Sequence, residues 1–447
     1  MYDNDQPHVH SLTYFRIAQL QSSALFPSLR RLCYDLGDPS IPHIFLFLSP
    51  LLNSLELFNI NGFEDTIVGP FLATLSSPML SRVVLRNGAM SVDIFKKSVV
   101  HFTQLRSLEL LDAVIMNGFD LWKVLGTLPS LANFTLRAVK PHRCLIPRPT
   151  PGNSSSQNQS GGPKYFDALE SLSVKGSFFL IQHLLGFIDS SCLKSIEVYP
   201  VIKHDHEDEG FFTPCMTIVA SKWSQSLKNL YISSRSFGVP HNAISKCLML
   251  LTDLHEIQSF HLRGWRLENM DDDVRRLVMS WPKLRVLNLG QTLISLSTTR
   301  IIAENCPELH FLHIQLDIST FPPFDASCRR LTHNLAVLNV AGFYPSDSTI
   351  IQTPECQIQM TRHLDSIFPY LKSIEVRDET WLDIYNLVKS RFCQDDRRVK
   401  PATDMVLSST WNSIFIFPDS IFHSYYYFRD HHYLPWVDRW HKFYLAL

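Results

Sequence analysis

The stretch WPKLRVLNLG, residues 281–290, decides the fold of this chain. Leu284, Leu287 and Leu289 hold the first, fourth and sixth places of a six-residue window. The last two alternate as the side chains on one face of a strand do, because neighbouring strand residues point to opposite faces. The first leucine lies three residues earlier, where it closes the turn that enters the strand. The window therefore predicts a short strand with one buried apolar face.

The same window recurs along most of the chain, as a search for internal repeats shows. Its copies begin at Leu29 (the weakest member), Leu52, Leu80, Leu105, Leu131, Leu169, Leu193, Leu227, Ile257, Leu284, Leu309, Leu335 and Leu371. Most copies also follow an apolar helical stretch, such as Val274, Leu277, Val278 and Trp281, which are spaced i, i+3, i+4, i+7. The spacing between copies is typical of leucine-rich repeats, and no single repeat can enclose its own apolar face, so neighbouring repeats must stack.

The predicted fold is therefore an α/β leucine-rich-repeat solenoid over residues 1–393, curved, with a parallel sheet on the concave face and helices on the convex face. The repeats are irregular, and the low-complexity insert at about 141–163 is expected to be disordered. An ordinary α/β protein is the alternative fold. Residues 394–447 form a C-terminal extension, for which a cap, a partner-binding tail and a poorly folded end all remain open.

Composition and charge exclude several classes of partner. Lysine plus arginine number 41 and aspartate plus glutamate 42, for a net charge of −1, which argues against nucleic acid and membrane surfaces as partners. The nine cysteines form no C-x-x-C pair and no secretory leader is recognisable, so we expect reduced thiols and a cytoplasmic or nuclear location. Cys192 and Cys306 directly precede repeat windows, which predicts that both are buried.

Three segments carry a resemblance to a known family. NCPELHFLHI (305–314), together with WPKLRVLNL, resembles the repeats of F-box/leucine-rich-repeat proteins, and WLDIYNLVKSR (381–391) resembles the divergent F-box-like proteins abundant in mushroom-forming fungi. The resemblance implies that the solenoid recruits a substrate for a ubiquitin ligase, while an F-box binds the Skp adaptor of a cullin complex. We recognise no F-box in the sequence, so Skp and cullin are expected partners only if an F-box is present elsewhere.

The sequence also departs from the usual repeat at one position. Many leucine-rich repeats carry an asparagine three places beyond the last strand leucine, where this chain has residues such as Ala113 and Ser177. We therefore expect asparagine ladders to be mostly missing and the turns to vary.

The predicted binding surface is the concave face, where residues between and just after the strand leucines meet solvent. Tyrosine, arginine and histidine supply large contact areas and directional donors, as binding hot spots do. The predicted partner-binding residues are Tyr199, Tyr231, His261, Arg263, His313, Gln315, Arg137 and Lys175. The alternative for each is an ordinary solvated position on a sheet.

Other chemistry finds little support in the sequence. HDHEDE (204–209) offers metal-ligand residue types, but one acidic loop rarely holds ligands rigidly, so a solvated charge run is favoured. The sequence contains no phosphate loop, no G-x-S-x-G elbow and no H-E-x-x-H motif. We therefore expect no enzyme activity, no catalytic residue, no metal and no cofactor. The expected partner is a protein, and a stand-alone scaffold or inhibitor is the competing function.

Overall fold

The structure is a computed structural model, and its described residues cover most of the repeat region. They are 24–37, 41–75, 77–116, 118–138, 164–201, 209–233, 241–265, 267, 270–317, 330–344 and 354–376, with isolated positions 13, 16 and 20. All of them belong to the unit Met1–Lys389. The predicted insert at 141–163, the HDHEDE stretch up to residue 208 and the extension 394–447 lie outside the described residues.

Every copy of the repeat window forms a β-strand that begins two residues after the first residue of the window. The strands are β1 Arg31–Asp35, β2 Ser54–Phe58, β3 Arg82–Arg86, β5 Ser107–Ile115, β6 Asn133–Ala138, β7 Ser171–Gly176, β8 Ser195–Pro200, β9 Asn229–Ser233, β10 Ser259–Arg263, β11 Val286–Ser295, β12 Phe311–Asp317, β13 Val337–Tyr344 and β14 Ser373–Val376. They pair in parallel and in chain order, and the two-residue strand β4, Ala89–Met90, pairs with β5 outside this row.

Helices connect the strands and form a second layer. The α-helices are α1 Gly69–Thr74, α2 Val92–Lys96, α3 Gly118–Gly126, α4 Phe178–Phe187, α5 Glu209–Trp223, α6 His241–Leu250, α7 Asp271–Ser280, α8 Leu296–Asn305 and α9 Pro354–Ile367. Each packs against the next in chain order. Short 3-10 helices occur at Ile41–Phe47, Val99–His101 and Leu251–Asp253, and a π-helix at Glu64–Val68. This one-dimensional stack of strand-helix units confirms the predicted α/β solenoid.

The repeated apolar residues fill the space between the two layers. Leu284, Leu287 and Leu289 are at most 1% exposed, and the corresponding residues of the inner repeats are buried in the same way. Full burial of one such side chain contributes about 1.5–3 kcal/mol. Leu29 remains half-exposed, and its strand β1 is the first of the described strands, paired with β2.

One backbone arrangement joins all neighbouring repeats. The carbonyl of Lys194 accepts hydrogen bonds from the N–H groups of Lys228 (2.8 Å) and Asn229 (2.9 Å) in the next repeat. The equivalent carbonyl, one residue after the first place of the window, accepts the same pair of bonds between every two successive repeats. We call this arrangement the backbone fork. It fixes the register of each strand against its neighbour at the point where the strand begins.

The expectation about asparagine ladders is wrong for the first repeats. The Asn87 Nδ2 donates to Asn59 Oδ1 (3.0 Å), and the Asn59 Nδ2 donates to Asp35 Oδ1 (2.8 Å). Asn59 and Asn87 have φ angles of 52° and 57°, in the left-handed region that asparagine tolerates better than most residues. Both lie two residues after the sixth place of the window, one residue earlier than the expected position.

The prediction for the two cysteines is half right. Cys306 is buried, as predicted, whereas Cys192 is exposed. The buried place lies three residues before the first leucine of the window, which Cys306 occupies before Leu309. Ser190 occupies that place before Leu193, and its hydroxyl donates to the carbonyl of Leu169 (2.7 Å).

Candidate functional site

The strand residues that alternate with the buried ones form a polar face of the sheet, which we call the open face. Across β6–β10 the register aligns these residues in three rows. Row A contains Asn133, Ser171, Ser195, Asn229 and Ser259. Row B contains Thr135, Ser173, Glu197, Tyr231 and His261. Row C contains Arg137, Lys175, Tyr199, Ser233 and Arg263.

Four of the predicted site residues come together in one cluster of rings. The ring centroids of Tyr199 and Tyr231 are 5.2 Å apart, and those of Tyr231 and His261 are 5.4 Å apart. The guanidinium carbon of Arg263 lies 5.8 Å from the centroid of the Tyr231 ring, within the range of a cation–π contact. We call Tyr199, Tyr231, His261 and Arg263 the ring cluster, and all four are partly exposed.

The hydroxyl of Tyr199 is held as a hydrogen-bond donor. It donates to Oε2 of Glu197 at 3.3 Å. Burial, and next the negative charge of Glu197, raise the pKa of the Tyr199 hydroxyl above its ordinary value of 10. Both effects favour the protonated hydroxyl, which is the form that donates to Glu197.

The remaining predicted residues divide into two groups. Arg137 and Lys175 lie next to Tyr199 in row C, on β6 and β7, and are partly exposed. His313 and Gln315 lie on β12 and are also partly exposed, but β11 separates them from His261. The predicted patch is therefore continuous from Arg137 to Arg263, and its last two residues stand apart.

Asn288 lies on the strand between the two histidines. The register places it between His261 and His313, where the sequence predicts contact with solvent, yet it is 0% exposed. Its Oδ1 accepts a hydrogen bond from the N–H of Gly290 (3.1 Å), so the side chain bends back along its own strand. Gly290 has a φ of 58°, which glycine adopts without the strain that a Cβ would bring.

A hollow lies beside the ring cluster, and several of the residues that line it were not among the predicted site residues. Its volume is about 220 Å³, and Ser195, Asn229 and Ser259 line it together with Glu197, Tyr231 and His261. The small side chains of row A leave this space next to the larger rings of row B. A run of short polar residues at the first position of successive strands is the signal that would have predicted the hollow.

The hollow contains one pair of groups with the residue types of a nucleophile and a base. The Ser259 hydroxyl lies 2.9 Å from His261 Nε2. Nucleophilic catalysis also requires a third group that orients the base. Glu197 lies two strands from His261, which separates their backbones by about 10 Å. Both groups of the pair can form hydrogen bonds with a ligand.

The amino-terminal part of the open face has a different character. Arg82 pairs with Glu109 (2.8 Å), and Arg86 pairs with Glu56 (3.1 Å). Both arginines lie on β3, and their partners lie on the adjacent strands β5 and β2. The charges in this region are therefore matched within the face itself.

The described residues contain no group of three or more histidine, cysteine, aspartate or glutamate side chains placed to hold a metal ion. Within the same part of the chain, no helix has both the length and the apolar character needed to cross a bilayer.

Comparison with known proteins yields structural likenesses only. No protein-family model matches the chain, and no curated protein matches it. Among solved structures, the chain is similar to an internalin (inlF) from Listeria monocytogenes, with 15% identity over 83% of this chain and 95% of that chain and a TM-score of 0.39. It is also similar to a chain of the Rad7 and Elc1 complex of yeast, with 15% identity over 68% of this chain and 81% of that chain and a TM-score of 0.33.

Proposed function

We propose that the chain is a recognition protein that binds a protein partner through the open face of its sheet. The ring cluster is the observation that carries this proposal. Tyrosine and arginine dominate the binding energy of protein interfaces, because they bury large areas and direct hydrogen bonds. The strands hold these side chains in a fixed register, so little conformational entropy is lost when a partner binds.

The partner class that we propose is a substrate of a ubiquitin ligase, with the chain acting as an F-box-like substrate receptor. Support comes from the resemblance of residues 305–314 and 381–391 to F-box-like proteins. A stand-alone scaffold or inhibitor would use the same open face without Skp or cullin. In both proposals the chain binds without enzyme activity, cofactor or metal.

We further propose a cytoplasmic or nuclear location. The cysteines whose state the structure describes, Cys33, Cys192, Cys215, Cys247 and Cys306, are all free thiols. Free thiols in a chain with this many cysteines fit a reducing compartment.

Affinity purification of the full chain from cells tests both levels of the proposal. Recovery of Skp and cullin subunits with a substrate supports the receptor, whereas a reproducible partner without them supports the scaffold or inhibitor. The paired change Tyr231→Ala and Arg263→Ala should reduce partner capture at least about tenfold, because two hot-spot side chains commonly contribute more than 1 kcal/mol each.

The matched control is the pair Tyr370→Ala and Arg276→Ala. It removes the same residue types from exposed positions away from the open face, before β14 and on α7. Capture by this variant should remain as in the unmodified chain. If a folded Tyr231 and Arg263 variant captured the partner equally well, the open face would lose its assigned role.

A further inference from the structure

We propose that β6–β10 of the open face bind an acidic, extended segment of the partner, an inference that rests on the proposed function. The segment lies across the strands, with its carboxylates at row C and an apolar or aromatic residue on the ring cluster.

The charges of the three rows support an acidic ligand. Row C contains three cations, Arg137, Lys175 and Arg263, and no carboxylate. Among the fifteen described positions of rows A to C, Glu197 is the single acidic residue, and it accepts the hydroxyl of Tyr199. These rows therefore carry a net positive charge, in a chain whose overall charge is −1. Opposite charges across an interface favour the matching partner and disfavour the wrong one.

The contrast with β3 shows that this excess is local. Arg82 and Arg86 lie on the same face, and each forms an ion pair with a glutamate on an adjacent strand. Both regions consist of parallel strands joined by the backbone fork, and their side chains differ. Of these two described regions, the one from β6 to β10 presents more cations than carboxylates to a ligand lying along row C.

The spacing of the cations predicts the length of the segment. Adjacent strands are about 4.8 Å apart, so Arg137 on β6 and Arg263 on β10 are separated by about 19 Å along row C. An extended peptide advances about 3.3 Å per residue, so about six residues span this distance. Arg137 and Lys175 are on neighbouring strands, whereas Arg263 lies three strands beyond Lys175. The matching segment therefore has an acidic pair, an aromatic residue near its middle, and further acid about four residues after the pair.

The hollow provides polar groups for the backbone of such a segment. Ser195 and Ser259 offer hydroxyls, and Asn229 offers an amide, and each of these groups both donates and accepts hydrogen bonds. An extended peptide exposes N–H and C=O groups that need such partners.

Fluorescence anisotropy with the full chain tests the inference directly. The probe is a labelled heptapeptide, Glu-Glu-Ala-Tyr-Ala-Glu-Glu, compared with matched peptides in which glutamine or lysine replaces every glutamate. At low salt the acidic peptide should bind about tenfold more tightly than the glutamine peptide, and the lysine peptide most weakly. At about 1 M salt, where the Debye length is about 3 Å, the advantage of the acidic peptide should largely disappear.

A pair of triple variants assigns the effect to row C. R137Q/K175Q/R263Q should lose about tenfold in affinity for the acidic peptide. K194Q/K283Q/R285Q removes the same charge from the amino-terminal side of the strands, where each cation pairs with a glutamate at 2.7–3.0 Å. Binding by this control should be unchanged. Thermal melting of both variants should give a cooperative transition, as expected of folded proteins.

Three results would overturn the inference. The first is equal binding of the three peptides, and the second is an equal loss in both triple variants. The third is acidic-peptide binding that appears only after Asp205, Glu207 and Asp208 are neutralised, since the acidic stretch 204–209 would then be the occupant. Partner capture by the Tyr231 and Arg263 variant is a separate readout. If capture requires those residues but peptide binding shows no acidic preference, this inference fails and the proposed function stands.

Discussion

His333 shows how one side chain joins two repeats and ties the stability of the fold to pH. The ring is 5% exposed, its Nδ1 accepts the N–H of Leu335 (3.0 Å), and its Nε2 lies 2.8 Å from the carbonyl of Cys306. An acceptor at Nδ1 and a donor at Nε2 define the neutral imidazole. Burial lowers the pKa of His333 below the ordinary 6.5, although the bond to the Cys306 carbonyl acts in the opposite direction.

We predict that His333 makes the stability fall in mild acid. As the pH drops below about 6.5, His333 becomes protonated in the unfolded chain but stays neutral in the folded chain, because its pKa is lower there. Proton binding therefore stabilises the unfolded state, and the free energy of unfolding decreases. The decrease ends once the pH passes the lower pKa of the folded state. Urea unfolding at a series of pH values should show this slope in the unmodified chain and a smaller slope in His333→Gln. Parallel slopes in the two proteins would contradict the assignment.

At the scale of residues, the sequence predicts the buried positions well and the local bends poorly. Leu284, Leu287 and Leu289 are buried as their spacing indicates, because the strand period alone determines which face they occupy. Asn288 occupies the solvent face by the same period and is nonetheless buried. Its Oδ1 accepts the N–H of Gly290, whose backbone is left-handed, and the strand period does not encode this contact.

At the scale of elements, helix α5 is tied to the preceding repeat by its last two residues. The Trp223 Nε1 donates to the carbonyl of Ser190 at 2.7 Å. Beside it, the Lys222 Nζ donates to the carbonyls of Gly186 and Ile188, both at 2.8 Å. These carbonyls lie in the last turn of α4 and just after its end, where backbone acceptors lack partners within the helix. The side chains of one helix therefore satisfy the end of the previous one.

Two tryptophans allow the contribution of this link to be measured. Trp223→Phe keeps an aromatic ring but leaves the buried Ser190 carbonyl without its indole donor, which costs about 1–3 kcal/mol. Trp122→Phe, in α3, removes a similar area from a fully buried ring. Within the described part of the chain, the Trp122 Nε1 has no hydrogen-bond partner. Trp122→Phe therefore breaks no hydrogen bond and removes a buried polar group that has no partner. Urea unfolding should show a larger loss for Trp223→Phe, and equal losses would contradict the role of the hydrogen bond.

The elements themselves were largely predictable from the sequence. Helix α7 follows the i, i+3, i+4 spacing of Val274, Leu277 and Val278, and every repeat window forms a strand. The short ladder of Asp35, Asn59 and Asn87 was missed, because its position after the strand depends on the backbone of the turn rather than on apolar period. The sequence predicted most residues of the candidate surface but not the hollow. The hollow depends on the placement of short row A side chains beside the larger side chains of row B, which is known only once the strands are aligned.

At the scale of the whole molecule, the described strands contact their immediate neighbours in chain order. In such an array the stability is a sum of repeat terms and nearest-neighbour terms, so damage stays local. Leu85→Ala, in the core of β3, should cost about 2–5 kcal/mol, because it removes a side chain that is 0% exposed. Hydrogen exchange should accelerate in β2, β3 and β5 and remain unchanged in β12 and β13. A uniform acceleration throughout the array would show that the chain unfolds as one cooperative unit.

The backbone fork has a consequence for how this type of chain can change in evolution. Two N–H groups and one carbonyl align each strand without the help of any side chain. The strand pairing therefore tolerates substitutions of the residues that face the ligand. A single substitution in row A, B or C therefore alters one point of the surface and leaves the neighbouring points in place. Specificity can be revised residue by residue, and an insertion between strands lengthens a connection without displacing the revised surface.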